Sequence, residues 1–256
     1  MRPYLLAECN YTSIKDRTID LAVLPWGAIE AHNYHLPYSA DVIESDHITE
    51  TAAEKAYSQG AKIIVLPTVP YGVNTGQTDI KLDMNINPST QAAILTDLIT
   101  VLNHQKINKL LILNSHGGNN FKPMLRELGL KFPEMFLSCC EWFNSIDRNE
   151  YFDRPGDHAD EMETSLLLYL TPQFVLPLEE AGPGIEKKIR ITGIREGWAW
   201  TERRWSDVTE DTGIGDPSQA SKAKGKKYFE AVTDKLAQLF VEISNSDLND
   251  LYESTQ

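Results

Sequence analysis

Short apolar runs and longer amphipathic segments alternate along most of this chain. Residues 19–24, 62–66, 109–113 and 135–139 are rich in Ile, Val and Leu, and runs of that length read as buried strands. Between them, residues 42–57, 88–105 and 119–131 carry apolar side chains three and four apart, the period of a helix with one buried face. Asn87 followed by Pro88 predicts how the second of these starts, with a side-chain cap and then proline at the first helical position. Another helix is expected over 217–244, with Ala220, Ala223, Phe229, Val232, Leu236 and Phe240 inward. Residues 182–212 have Gly, Trp and Arg but little periodicity and predict no element. Regular strand–helix alternation implies right-handed crossovers. The expected fold class is therefore α/β: a single domain over residues 1–256, with a mostly parallel central sheet flanked by helices on both faces.

The chain has 256 residues, enough to bury a large core without disulfide or metal staples. Its formal charge of −13 repels phosphate backbones and anionic lipid, which argues against nucleic-acid and membrane-surface partners. No apolar run approaches the roughly 18 residues of a membrane span, and the opening residues contain no apolar stretch of signal-peptide length. Cys9, Cys139 and Cys140 form no disulfide framework; the adjacent pair reads as two half-buried thiols on a strand. These features together predict a cytoplasmic protein.

In open sheets of this kind ligands bind at the carboxyl ends of the strands, and three clusters of metal-capable side chains fall there. The first follows the first strand: Glu30, His32 and His35, then Asp41. Glu30 and His32, one residue apart, point the same way only on extended backbone. Asp41, returning on a loop, has two oxygens with which to bridge two ions. Surface charge with a capping histidine is the plainer account of that spacing taken alone. The second cluster, Asn114-Ser115-His116-Gly117-Gly118-Asn119, ends the third strand. It lacks the Lys and Ser/Thr of a phosphate-binding loop, and its glycines let backbone approach whatever His116 holds. The third cluster contains Asp157, His158, Asp160, Glu161 and Glu163 just before an apolar run. An acidic first helical turn explains Asp160 and Glu161, but not a histidine at that end, nor Glu163 where burial is expected. Oxygen and nitrogen donors without cysteine suit Zn²⁺, Mn²⁺ or Fe²⁺. Two ions sharing one aspartate would keep open positions for water, the arrangement of a hydrolase.

The three clusters, in this order, resemble the creatininase (creatinine amidohydrolase) family. Its pattern is roughly Pro-x-Gly-x-x-Glu-x-His-Gly-x-His-Leu-Pro…Asp, then Asn-x-His-Gly-Gly-Asn, then His-Ala-Gly-x-x-Glu-Thr-Ser. Here these read Pro25 to Pro37 with Asp41, Asn114 to Asn119, and His158 to Ser165. A fourth segment, Gly213-Ile214-Gly215-Asp216-Pro217 with Ala220 and Gly225, resembles the family's Gly-x-x-Gly-Asp-Pro stretch before its last helix. The resemblance implies a metal-dependent amidohydrolase on a compact α/β fold, assembled as a homo-oligomer, a hexamer. By position, Glu30, His32, Asp41 and His116 fall on metal ligands, with Asp41 bridging two divalent ions. His158 falls on the proton-shuttling histidine, and Glu163 on the second acidic position, assigned as the remaining ligand beside the nucleophilic water.

Creatininase itself carries Tyr and Glu after the histidine of its second motif, the Glu as a ligand. Here Gly117 and Gly118 stand there, so that ligand has to come from elsewhere, and Glu163 is the candidate. Asn33 and Tyr34 replace a usual Gly and Pro, and Gln77 stands where many members have a nearby histidine. Tyr34, Gly117, Gly118 and Asn119 are the expected substrate contacts. Other branches of the family deformylate a pyrimidine intermediate or trim a peptide precursor. The resulting expectation is hydrolysis of a non-peptide C–N bond, in a small cyclic amide or formamide, by water activated between two metal ions. The rivals are a small-molecule binder with a structural metal, and a metallophosphatase, which would want a more basic pocket. His35 is expected to hold its loop by a hydrogen bond, with His47 and His104 at the surface. Trp198 and Trp200 are expected at a pocket or a subunit contact.

Overall fold

Every residue of the two central strands is buried, so both faces of the sheet have to be covered. The computed structural model describes residues 1–154 and 156–253. Strands β1 (Leu21–Trp26), β2 (Ile63–Val65), β3 (Lys109–Asn114) and β4 (Phe136–Glu141) form one parallel sheet in the order β2-β1-β3-β4. Leu21 lies opposite Ile63, Trp26 opposite Asn114, and Lys109 opposite Phe136. The long helices are α1 (Ala40–Ser58), α2 (Pro88–His104), α3 (Phe121–Lys131), α4 (Glu161–Leu170) and α5 (Lys222–Asn245). Successive strand residues point to opposite faces. Leu21, Val23, Leu111 and Leu113 therefore join Ile48, Leu166, Val232 and Phe240 of α1, α4 and α5. Ala22, Leu24, Leu110 and Ile112 join Leu95, Ile99 and Phe121 of α2 and α3 on the other face. The expected single-domain, doubly covered α/β sheet is what forms, and here the sheet is wholly parallel.

The strand order places the site. From β1 the chain crosses to β2 on one side and then returns past β1 to β3 on the other. The connections diverge between β1 and β3, and a crevice opens at their carboxyl ends. The first and second clusters follow those two strands.

Several local details differ from the pattern-based expectation beyond shifts of one or two residues at element ends. Asp41 stands in the first turn of α1 rather than on a loop. The helix expected over 217–244 breaks in two because it contains two caps. Asp216 caps a short turn over Pro217–Gln219, Ala220 is extended, and Ser221 caps α5 at Lys222. Pro88 does open α2, but Asn87 caps nothing with its side chain, whose oxygen accepts instead from the Asn85 amide. Cys139 and Cys140 are half-buried free thiols on β4, as expected.

Lys109 is buried at the start of β3. Its Nζ donates to the carbonyls of Ser244 and Ser246, 2.9 and 2.6 Å away, closing the end of α5. At the other end of α5, Gly225 presses on α4 so closely that a Cβ there would overlap the Ser165 carbonyl. Gly225→Ala should cost about 1–3 kcal/mol. The loss should appear as a lower Tm in thermal denaturation; an unchanged Tm would show that the helices part without cost. No helix among the described residues is long and apolar enough to cross a membrane.

Candidate active site

All three clusters meet in the crevice. The backbone after β1 runs extended in short bridges, Ile29 against Met84 and His32 against Leu36. It delivers Glu30 and His32 fully buried beside Asp41. His32 Nε2 lies 3.0 Å from Asp41 Oδ1. Asp41 Oδ2 lies 3.1 Å from His116 Nδ1 but is not hydrogen-bonded to it. The same His116 nitrogen is 2.9 Å from Glu30 Oε1, and His158 Nδ1 is 3.7 Å from that oxygen. The rings of His158 and His32 lie 4.1 Å apart.

Backbone carbonyls orient all three imidazoles. His32 Nδ1 bonds to the Glu30 carbonyl, His116 Nε2 to that of Val73, and His158 Nε2 to that of Ala31, at 2.8–3.0 Å. A carbonyl only accepts, so those nitrogens carry the N–H groups, and the opposite nitrogens present lone pairs to the centre. Lone pairs facing carboxylate oxygens at 3 Å repel unless a proton or a cation lies between them. Ligand atoms of Glu30, Asp41 and His116 lie within 4.8 Å of one another, as do those of His32, Asp41 and Glu163, and of Glu30, His32 and His158. The first two groups share Asp41, and each histidine is tied from behind as metal-binding histidines are, so the chemistry of the donor set fits divalent cations.

Electrostatics within the cluster follow from the same crowding. Burial alone would strip the charge from His32, but Asp41 outweighs it and lifts the imidazole to about 10. His116 is raised likewise, burial opposing and Glu30 and Asp41 prevailing. Burial works against charge on Glu30 too, yet His116 and His158 hold its carboxyl well below the usual range. Burial pushes Glu163 up to about 8, with Asp160 and Asp41 adding to it and His32 opposing. His158 is lowered by burial and by the charge of His32. Without a cation, then, protons are drawn in to separate the carboxylates.

Glu163 arrives on the first turn of α4, whose start Asp160 caps by accepting from Met162 and Glu163 N–H groups. Ala159 adopts a left-handed φ of 50°, a conformation that costs a residue with a Cβ on the order of 1 kcal/mol. That turn directs the Ala159 N–H onto the Glu163 carboxylate. Asn33 also has positive φ, at 54°, a conformation that asparagine tolerates better than most residues with a Cβ. Its side chain exchanges two hydrogen bonds with Gly182 and so anchors the start of the irregular 182–212 segment. His35 holds its loop as expected, through Nε2 to Thr164 Oγ1 at 2.9 Å, and burial lowers it to about 4.

The cluster forms the floor of an open cavity of about 920 Å³. Gly117 and Gly118 line it, and a side chain on Gly118 would collide with the Val73 carbonyl and the His116 ring. Two expected substrate contacts stand elsewhere. Tyr34 is 59% exposed and outside the cavity, its hydroxyl donating to the Glu210 carbonyl, because the Asn33 turn swings it outward. Asn119 is buried scaffold: its side chain bonds Val73, Gln91 and Asn114, and Asn120 lines the cavity instead.

Other residues at the site left no mark in local spacing. Gln77 donates to Glu30, Asp83 accepts from the Ala31 N–H at 2.7 Å, and Trp205 packs edge-on to His158 at 5.4 Å. Trp200 and Trp205 line the cavity from the 182–212 segment, while Trp198 covers Gly193. Gln77, Asp83 and Trp205 lie far in sequence from the residues they contact, and only their polar or aromatic character hinted at a role.

The donor groups at the switch point of this parallel α/β sheet are of a kind that holds divalent cations, and family membership supports a hydrolase acting on C–N bonds. The chain belongs to the creatininase family, whose model, described as creatinine amidohydrolase, matches residues 7–240. A Bacteroides fragilis protein of known structure, provisionally named a creatinine amidohydrolase, is 39% identical, with a TM-score of 0.91 covering 99% of this chain and all of that one. The mycofactocin precursor peptide peptidase of Mycobacterium tuberculosis is 27% identical over 222 residues, 83% of this chain and 81% of its own. A creatininase variant of Zn–Zn type shares the fold at 18% identity and a TM-score of 0.78, over 95% of this chain and 99% of that one.

Proposed function

We propose that this protein hydrolyses a non-peptide amide C–N bond, in a cyclic amide or a formamide, with water activated between two divalent ions, Zn, Mn or Fe. The observation that carries this reading is the pair of donor groups sharing Asp41 on the floor of an open cavity. In this assignment Glu30, Asp41 and His116 hold one ion, and His32, Asp41 and Glu163 hold the other. Glu163 replaces the glutamate that creatininase carries after its second-motif histidine. Held there, such ions would supply Lewis-acid polarisation of an amide carbonyl and a water made nucleophilic at neutral pH.

The chain's own groups do the remaining work. Glu163, steadied by the Ala159 N–H, orients the attacking water on the side facing His32. His158 keeps its Nε2–H on the Ala31 carbonyl, so Nδ1 is free to take a proton and pass it to the departing nitrogen. Trp205 covers one edge of that imidazole and limits its access to bulk water. Gly117 and Gly118 leave backbone exposed beside His116, where a substrate can approach without a side chain in the way. A structural brace would close four protein ligands around one ion; here the donors open onto a cavity.

A second reading, hydrolysis of a peptide amide, is favoured by the cavity's size and by the activity in the Mycobacterium relative's name. Metal-loaded protein offered creatinine, cyclic amides, formamides and short peptides should hydrolyse a member of the first three classes, lose that activity to a chelator and regain it on metal return. Cleavage of peptides alone would establish the second reading. Two bound ions with no hydrolysis of any class would make the protein a binding module.

A further inference from the structure

Glu30 uses its two oxygens differently. Oε1 faces His116 and His158, while Oε2 accepts a 2.7 Å hydrogen bond from Gln77 Nε2. Gln77 is itself only 7% exposed, and its Oε1 is buried without a partner. Its amide orientation is nonetheless fixed, since the reversed amide would set a carbonyl oxygen against a carboxylate. The residue sits at the end of the turn Thr75–Gln77, which is tied down on both sides. Asn74 donates to the carbonyls of Met84 and Ile29, and its own N–H goes to Asn85 Oδ1. Thr75 is hydrogen-bonded to Glu202 of the 182–212 segment.

We propose that Gln77 is a positioning residue for the metal centre: it occupies Glu30 Oε2 and so presents Oε1 alone to the cation. This rests on the reading of Glu30 as a ligand. A buried amide with one atom unsatisfied is costly to keep for packing alone, and a methionine would fill the same space. Partners that orient a ligand from behind typically contribute 10–100-fold in metal affinity.

The test is Gln77→Met, which keeps length and loses the donor, beside Gln77→His, whose Nε2–H reaches a similar distance. Zn²⁺ affinity is measured by competition with a chromophoric chelator, and Tm is taken on metal-free protein. The expected result is a 10–100-fold weaker affinity for one ion in Gln77→Met, a metal-free Tm close to wild type, and recovery of affinity in Gln77→His. Wild-type affinity in Gln77→Met overturns the proposal, as does a loss of affinity that follows a fall in metal-free Tm and is not recovered in Gln77→His. Wild-type protein that binds no Zn²⁺ would instead overturn the ligand reading itself.

Discussion

Asp41→Ala protein should purify with neither of its two ions and with no measurable turnover. Asp41 supplies one oxygen toward His32 and the other toward His116, at 3.0 and 3.1 Å, so no other side chain serves both donor groups. Its removal leaves each group with two donors, one imidazole and one carboxylate. Two donors hold a divalent ion far more weakly than three, and shared ligation makes the two losses concurrent. Plasma mass spectrometry of metal per chain, on protein purified without chelators, checks this against wild type, which should carry close to two equivalents. Circular dichroism separates metal loss from unfolding, since Asp41 lies at the start of α1 and the hydrophobic cores beneath it stay intact. Retention of two ions would refute the bridge. Retention of one would mean that the groups bind independently.

The second large effect is expected at His158. Its replacement by alanine should lower turnover by roughly 10²–10⁴, the range for loss of a positioned general acid or base, while leaving two ions in place. His158 Nδ1 is nevertheless 3.7 Å from Glu30 Oε1, and with Glu30 and His32 it forms the third close group of donors. Metal content therefore decides between roles that geometry allows equally. If His158→Ala loses metal in proportion to activity, His158 is a ligand and the proton has to be moved by another group. An unchanged metal content with depressed turnover assigns the proton transfer to the imidazole. The hydrogen bond from Nε2 to Ala31 makes the glutamine variant informative too: its amide nitrogen reaches the Nε2 position and can keep that contact but cannot carry a proton at neutral pH.

The amino-acid sequence by itself determined the layers and the donor set. Buried strands need runs of Ile, Val and Leu, and helices need apolar spacing of three and four, so the α/β alternation was written in local order. Glu30, His32, Asp41, His116, His158 and Glu163 were legible because each stands within a few residues of a strand or helix end. Their order also matches a family pattern. Helix limits were less legible where caps compete: two of them, Asp216 and Ser221, divided one expected helix.

Tertiary structure decided what depends on contacts between distant parts of the chain. The reversal of strand order between β1 and β3 brought the first two clusters into one crevice, and α4 added the third. Which ring nitrogen of each histidine faces the centre was set by the carbonyls of Glu30, Val73 and Ala31, which carry no side-chain signature. Gln77 reached Glu30 across 47 positions of sequence. Tyr34 was turned outward by the positive φ of the residue before it, and Asn119 was drawn into the scaffold by partners at Val73, Gln91 and Asn114. Side-chain chemistry is local and survives in a sequence. The direction in which a donor points depends on long-range packing, and that exists only once the chain has folded.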